Sequence, residues 1–319
     1  MVTVGIAVTW LAAALLGGQT PGPTQKDQAA RWTPPKTLWG DPDLQGIWNN
    51  QTPTPLERPE ALAGKTFLTP AEATEVERTA YRRLLDFLGP KTVQIHGDLD
   101  AVWLESGKVV PNRRTALIVD PPDGKIPYTA EGKKRWGAAP MVGRAISEQL
   151  TADGPEDRTL TERCIADGEP PHLPNPFNNN NHRIFQTPGY VAILSEDNNF
   201  RIVPLDGRPH LNIPQWNWTS HGRWQNLTLI VETDNFNDRR QFLGTTAALR
   251  LVERFTRVDA DTINYQVTVT DPSAFTQSWT AENALRKTQG LMYEYACHEG
   301  NYALVGMLAG ARAEESRKR

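Results

Sequence analysis

Apolar and polar positions alternate along most of the chain after residue 178, and a period of two predicts β-strands. Turn residues such as Pro188-Gly189 and Asn226 separate the alternating runs, which are therefore expected to pair as hairpins. The predicted strands are Arg183–Thr187, Tyr190–Glu196, Phe200–Pro204, Gly222–Gln225, Leu227–Thr233, Leu249–Val258, Thr262–Asp271, Ser278–Ala281 and Met292–His298. Because such a meander has to cover its edges, we expect a mainly β fold, either an antiparallel calycin-like β-barrel or a tight sandwich.

The residues before 177 predict one clear helix and a second, shorter one. Thr69 is placed to cap the first helix, Pro70 takes its first position, and Glu72 completes a capping box. The second helix is expected to run from Thr129 to Trp136. Many turns separate these helices, in keeping with the 25 prolines of the chain.

The stretch 41–58 is turn-rich, and we interpret it as an extended arm laid on the domain. Its large apolar residues are expected to anchor it, namely Leu44, Ile47 and Trp48. The mature chain would then consist of an arm, helix and loop-rich part over 41–176, packed on an antiparallel barrel core over 177–310.

The first residues have the pattern of a targeting segment. The run Val4–Leu16 is apolar, is too short to span a bilayer comfortably, and breaks at Gly17-Gly18. We expect a signal peptide over 1–19 and a flexible leader over 20–40, so that the protein is periplasmic or secreted. Since no Lys or Arg precedes the apolar run, an uncleaved anchor and an apolar start without targeting function remain alternatives.

The chain has 2 cysteines, Cys164 and Cys297, and export would place them in an oxidising compartment. A disulfide between them is expected, and closing so long a loop stabilises the fold by about 4–5 kcal/mol in the chain-entropy model. The alternative is two free buried thiols. Two cysteines so far apart do not make a zinc site by themselves.

Composition and motifs exclude several classes of function. The net charge of −3 and the lack of Lys and Arg clusters argue against a nucleic-acid partner. No Walker loop, glycine-rich dinucleotide turn, nucleophile elbow or His-Glu-x-x-His motif occurs, so no cofactor is predicted. No histidine pair has a ligand spacing, and no metal site is predicted. The 10 tryptophans either pack in the core or form a stacking surface for a ligand.

Strand alternation places Glu253 and Tyr265 on inner faces of the longest predicted hairpin. A carboxylate in that position has to be paired, hydrogen-bonded or protonated. Either Glu253 pairs with an arginine from the arm or the loops, or it is a general acid or base with a shifted pKa. His172 lies in a predicted loop, where we expect a solvent-exposed imidazole.

His298 is the second candidate catalytic residue, because a carboxylate and tyrosines lie beside it in the sequence, and His182 is the third. The alternative for His298 is that it caps a turn. The amides before His182 could bind a polar ligand or fix an irregular backbone. The candidate substrate-binding residues are Asn179, Asn181, Tyr265, Tyr295, Trp216, Trp218 and His210.

Several motifs follow one another in a specific order along the chain, namely Pro42–Trp48, Arg163–Ile165, Gln186–Tyr190, Pro204–His210, Leu251–Phe255 and Tyr293–Glu299. This ordered set resembles a family of exported bacterial proteins of unknown function that is frequent in soil and environmental bacteria. The resemblance covers nearly the whole mature chain and implies a bacterial host and export, with no activity to transfer. The turn at Gln225-Asn226-Leu227 departs from the acidic, glycine-containing turn that we expect there.

These observations favour an exported protein with a pocket for a small, partly apolar or glycosidic molecule. The leading hypothesis is a non-redox hydrolase, lyase or isomerase that uses Glu253, His298 and His182 in acid–base chemistry, with tyrosines orienting the substrate. The alternatives are a non-catalytic ligand- or carbohydrate-binding protein, and a structural protein of the envelope. The sequence leaves the oligomeric state open.

Overall fold

The described residues of the computed structural model cover most of the chain after the expected leader. Pro34–Arg319 form one compact unit. The structure describes residues 32–87, 106–138, 151–159, 162–165, 170–175, 179–196, 199–209, 218–237, 242–293 and 295–318. The expected signal peptide and the candidate ligand-binding residues His210 and Trp216 lie outside the described residues.

A single antiparallel sheet dominates the fold, as the alternation predicts. Nine of its ten strands follow the order β5-β4-β3-β1-β10-β9-β8-β7-β6, and β2 pairs with β10. The strands are β1 Gly46–Asn49, β2 Ile118–Asp120, β3 Asn181–Thr187, β4 Tyr190–Ser195, β5 Phe200–Pro204, β6 Thr219–Gln225, β7 Thr228–Asp234, β8 Arg250–Arg257, β9 Thr262–Thr270 and β10 Trp279–Lys287.

The sheet curls into a nearly closed barrel whose seam lies between β5 and β6. The eight hydrogen-bonded strand pairs along the nine-strand order are all antiparallel. The strand direction therefore reverses eight times between β5 and β6, and these two strands run in the same direction. Side chains on the β5 side pack directly against the backbone of Gly222 in β6. A Cβ atom at position 222 would lie only 2.8 Å from Val203 Cγ1 and 2.7 Å from Leu205 Cδ2, so the close contact across the seam requires glycine.

The arm contributes a strand to the barrel wall. β1 pairs with β3 on one side and with β10 on the other. Leu44 and Trp48 are fully buried, and the Trp48 indole donates a hydrogen bond of 2.8 Å to the Leu44 carbonyl, while Ile47 is half-buried. The barrel is therefore not built from residues 177–310 alone.

Within the described residues, three α-helices accompany the barrel: α1 Pro70–Phe87, α2 Ala130–Ala138 and α3 Tyr302–Arg317. The described ranges also hold two short 3-10 helices, at Glu60–Leu62 and Pro155–Asp157. The predicted capping box is present at α1, where the Thr69 N–H donates 2.8 Å to Glu72 Oε2 and the Glu72 N–H donates 3.3 Å to Thr69 Oγ1. The predicted short helix corresponds to α2.

The prediction of a last strand over Met292–His298 is wrong, because the described residues of that stretch contain no strand. The turn 297–300 leads into α3 instead, and Asn301 caps that helix by accepting a hydrogen bond of 3.2 Å from the Leu304 N–H. β10 takes over as the last strand and extends to Lys287, beyond the predicted end at Ala281.

The predicted disulfide is confirmed between Cys164 and Cys297, which are 133 residues apart in sequence. It joins the turn before α3 to the segment 162–165. Hydrogen bonds reinforce the connection: the Asn301 amide donates 2.8 Å to the Glu162 carbonyl, and Arg312 Nη1 donates 2.9 Å to the Asp153 carbonyl. Among the described helices, none has the length and hydropathy needed to cross a bilayer.

Candidate functional site

Inward-facing polar residues from four strands and one loop meet inside the barrel. We call His172, His182, Arg201, Glu253 and Tyr265 the interior cluster. Each of the five is at most 6% exposed. The alternation of buried and exposed positions in β3, β5, β8 and β9 points the four strand residues inward, and His172 enters from the segment 170–175.

Glu253 is held by an arginine and a tyrosine. Arg201 Nη1 donates 2.5 Å to Glu253 Oε2, and Arg201 Nη2 donates 3.3 Å to Oε1. The Tyr265 hydroxyl donates 2.9 Å to the same Oε1. The arginine comes from β5, whereas the sequence suggested one from the arm or the loops. The carboxylate is thus compensated by charge and by hydrogen bonds.

Tyr265 links the ion pair to His172. The hydroxyl oxygen of Tyr265 accepts a hydrogen bond of 3.0 Å from the backbone N–H of His172, while the hydroxyl proton points to Glu253. Burial, and next the negative charge of Glu253, raise the pKa of Tyr265 well above its usual value. The phenol therefore remains a donor across the physiological pH range.

His172 and His182 pack against each other inside the barrel with ring centroids 4.5 Å apart. The expectation of an exposed His172 is wrong, because the imidazole is 5% exposed. Its backbone is fixed at both ends, since the His172 carbonyl accepts a hydrogen bond of 3.1 Å from the Asn50 side chain. His182 Nδ1 lies 3.0 Å from the Ser195 hydroxyl, its cross-strand neighbour on β4.

Both imidazoles are neutral near pH 7. Burial, and then the positive charge of Arg201, lower the pKa of His182 to about 3. Burial is also the main reason why the pKa of His172 lies well below its usual value, followed by the charges of His182 and Arg201. The net charge of the cluster is therefore zero, with one cation and one anion paired.

Three buried nitrogens of the interior cluster have no hydrogen-bond partner within the part of the chain that the structure describes. They are the Nε2 atoms of His172 and His182 and the Nε atom of Arg201. A buried polar atom left without a partner costs about 1–3 kcal/mol. Arg201 Nε carries a hydrogen and can only donate, whereas each neutral imidazole can donate or accept according to its tautomer.

Two of the candidate ligand-binding asparagines lie where β3 begins: Asn179 precedes the strand and Asn181 is its first residue. Asn181 donates 3.0 Å to Glu196 Oε2 and accepts a hydrogen bond of 3.0 Å from the Asn49 side chain, so it ties β1 and the end of β4 to β3. Asn179 has a positive φ of 58° and is half-buried. The side-chain contacts of Asn181 therefore hold neighbouring backbone segments together, as one of the two interpretations of this tract expects.

The remaining candidates lie elsewhere. His298 occupies the exposed turn 297–300, while Glu253 is fully buried with Arg201 and Tyr265, so the structure does not pair these two residues. Tyr295 precedes the same turn and is half-buried. Trp218 packs beside Phe236, with ring centroids 6.3 Å apart.

Among the described residues, no group of three or more His, Cys, Asp or Glu side chains could hold a metal ion. The cluster itself offers two neutral imidazoles and one carboxylate that is already engaged. Its chemistry is therefore that of a hydrogen-bonding surface inside the barrel that carries no net charge.

The fold and this cluster define a class, a nearly closed antiparallel β-barrel with a polar cluster in its interior. Comparisons of this chain with protein-family models, with curated proteins and with solved structures find no match.

Proposed function

We propose that this protein binds a small molecule inside its barrel and does not transform it. The observation that carries the proposal is the set of three buried, unpartnered nitrogens on His172, His182 and Arg201. Buried polar atoms in proteins are nearly always satisfied by protein, water or ligand. A bound molecule with complementary donors and acceptors would remove the free-energy cost of leaving these three nitrogens without hydrogen bonds.

The geometry favours binding over acid–base catalysis. Glu253 already accepts hydrogen bonds from Arg201 and Tyr265, and His298 lies on an exposed turn. An efficient general base has a pKa near the working pH, whereas the pKa of His182 is lowered to about 3. These contacts weaken the hydrolase, lyase and isomerase hypothesis and favour the binding alternative.

The charges of the cluster indicate the kind of ligand. Since Arg201 and Glu253 neutralise each other and both imidazoles are neutral, a charged molecule would find no counter-ion there. Arg201 Nε needs an acceptor oxygen, and Phe255 flanks His172 with its ring centroid 6.4 Å away. We infer a neutral, partly apolar molecule with a carbonyl or hydroxyl group.

We also propose that the protein works in the periplasm or outside the cell. The Cys164–Cys297 disulfide supports this location, because such bonds persist in oxidising compartments. The apolar run Val4–Leu16 and the resemblance to exported bacterial proteins support it as well.

The test is a ligand screen in which binding is detected by NMR of the histidine side chains. Protein labelled with ¹⁵N-histidine would be titrated with neutral amides, lactones, alcohols and sugars, and the ring nitrogens would be followed by NMR. A true ligand should shift the Nε2 resonances of His172 and His182 and raise the melting temperature. Exchanging His182→Phe should abolish both effects, because phenyl fills the site without offering a nitrogen.

The control is Glu232→Gln, which removes a charge from the barrel exterior and should leave ligand binding as in the wild type. The proposal fails if every compound that stabilises the wild type stabilises His182→Phe equally. It also fails if the ring nitrogens respond to no compound and high-resolution density shows water alone on all three atoms.

A further inference from the structure

An apolar pocket lies outside the barrel, between α1 and the arm. Its volume is about 340 Å³, which is within the range of small-ligand sites. The helix presents Val76 and Ala80 to it, and the opposite wall includes Pro53 and Pro55 of the arm and Leu68 beyond it. Such walls accommodate an apolar body, and the polar residues of the lining are three threonines, one glutamate and two arginines.

Two arginines line this apolar pocket, Arg83 on α1 and Arg114 opposite. Arg114 lies over Phe67, with its guanidinium carbon 5.4 Å from the ring centroid, so its direction is fixed. Arg114 Nε is buried and lacks a hydrogen-bond partner among the described residues. No carboxylate in that part of the chain forms an ion pair with Arg83 or Arg114.

The one acidic residue that lines the pocket is already engaged. Glu75 pairs with Arg78 one helical turn further along and accepts a hydrogen bond of 3.3 Å from the Thr79 hydroxyl. The two guanidinium groups are therefore the uncompensated charges of the lining. Guanidinium groups bind carboxylates through paired, charge-assisted hydrogen bonds.

We propose that this pocket binds a small carboxylate with an apolar body, such as an aromatic acid or a medium-chain fatty acid. The apolar chain or ring fills the space between Val76, Ala80 and the prolines, and the carboxylate meets Arg83 and Arg114. The site differs from the barrel interior in position and in charge, so it stands independently of the neutral ligand inferred there.

The experiment is a calorimetric titration of the full chain with decanoate, and with decanol as the uncharged probe of equal chain length. Decanoate should bind at least about tenfold more tightly than decanol, because only the acid can use the two guanidinium groups. Arg114→Gln and Arg83→Gln should each weaken decanoate binding by about tenfold and leave decanol binding unchanged.

Arg82→Gln is the matched control, because Arg82 is an exposed arginine on the same helix that does not line the pocket. It should leave decanoate affinity within about twofold of the wild type. A third variant, Ala80→Phe, fills the pocket and should abolish binding of both probes while keeping all charges.

Two results would overturn the proposal. One is that decanoate does not bind, or binds no better than decanol. The other is that Arg82→Gln weakens decanoate binding as much as Arg114→Gln does, which would mean that the acid responds to the general charge of the helix. Circular dichroism and melting curves of each variant establish that a loss of binding is not a loss of fold.

Discussion

Arg201 and Glu253 form an ion pair through the interior of the barrel, although β5 and β8 are separated by the seam and by two further strands. The pair connects the two sides of an opening that no backbone ladder closes. Their side chains are 3% and 0% exposed, so water does not screen the interaction.

Removing one partner of this pair should be costly. Glu253→Gln leaves the guanidinium of Arg201 buried without a counter-charge, and we expect the free energy of unfolding to fall by about 3–5 kcal/mol. Urea denaturation provides the measurement. Glu232→Gln breaks the exposed Arg223–Glu232 pair and should lower it by less than about 1 kcal/mol.

A double variant distinguishes the energetic effect of the buried charges from that of side-chain packing. Replacing both partners, as Arg201→Met with Glu253→Leu, removes the uncompensated charge, so the double variant should be more stable than either single variant. If the losses of the single variants simply add, the pair does not interact as the geometry indicates.

Acid should destabilise the fold through the two buried histidines. In the unfolded chain both titrate near pH 6.5, whereas in the folded chain the pKa of His182 is about 3 and that of His172 is also depressed. Between those values the unfolded chain binds more protons, so stability is present above about pH 6.5 and is lost as the pH falls.

Each histidine should add to this loss below about pH 6.5, because the unfolded chain takes up a proton there that the folded chain does not bind. The measurement is the free energy of unfolding at several pH values between 4 and 7, where carboxylates contribute a background in every variant. Exchanging His172→Phe and His182→Phe together should flatten the slope relative to the wild type. An unchanged slope would show that the imidazoles are not held neutral by the fold.

The Tyr265 hydroxyl is expected to stabilise the cluster. Tyr265→Phe leaves the His172 N–H without its acceptor and removes one donor from Glu253, so the free energy of unfolding should fall by about 1–3 kcal/mol. Tyr190→Phe is the matched control, since that hydroxyl contacts the exposed Arg208. Its effect should stay within about 0.5 kcal/mol, and equal losses in the two variants would contradict the structure.

The disulfide should stabilise the fold mainly by restricting the unfolded chain. Breaking it should lower the free energy of unfolding by about 4–5 kcal/mol, because the closed loop is long. Cys164→Ser, Cys297→Ser and the double variant should lose the same amount, since each removes the same bond. Adding a reductant should destabilise the wild type and leave the three variants unchanged.

The period of two predicted the barrel strands well, because each strand of the hairpins has one face in the core. On β8 and β9 it also placed Glu253 and Tyr265 inside correctly. β5 shows where the rule fails. Phe200 and Ile202 are 55% and 56% exposed, while Arg201 is 4% exposed, so these two apolar residues face outward and the charge faces inward beside the buried Val203.

The inversion on β5 has a tertiary cause, namely the partner on β8. A single strand does not reveal that Glu253 needs a cation, and the hydrophobic pattern alone assigns Arg201 to the outside. His172 was missed for a similar reason. It sits in an irregular segment, and hydrogen bonds to Tyr265 and Asn50, remote in sequence, hold it inside.

The last predicted strand failed because the tyrosines before Cys297 alternate like strand residues, while Asn301 starts a helix shortly afterwards. The arm was recognised from its anchors Leu44 and Trp48, but its entry into the sheet was not. A four-residue strand carries too short a pattern to reveal its partners.

The position of β1 constrains the order in which the chain can fold during synthesis. Residues 46–49 leave the ribosome early, yet their partner β10 ends at Lys287, so the wall has a gap until nearly the whole chain has been made. Until then β1 and β9, the two strands that β10 joins, present bare edges, and the nascent chain has to be kept from pairing with its neighbours. The contact that completes the barrel thus acts as a late checkpoint on synthesis, and chains truncated before β10 should aggregate instead of yielding a protease-resistant core.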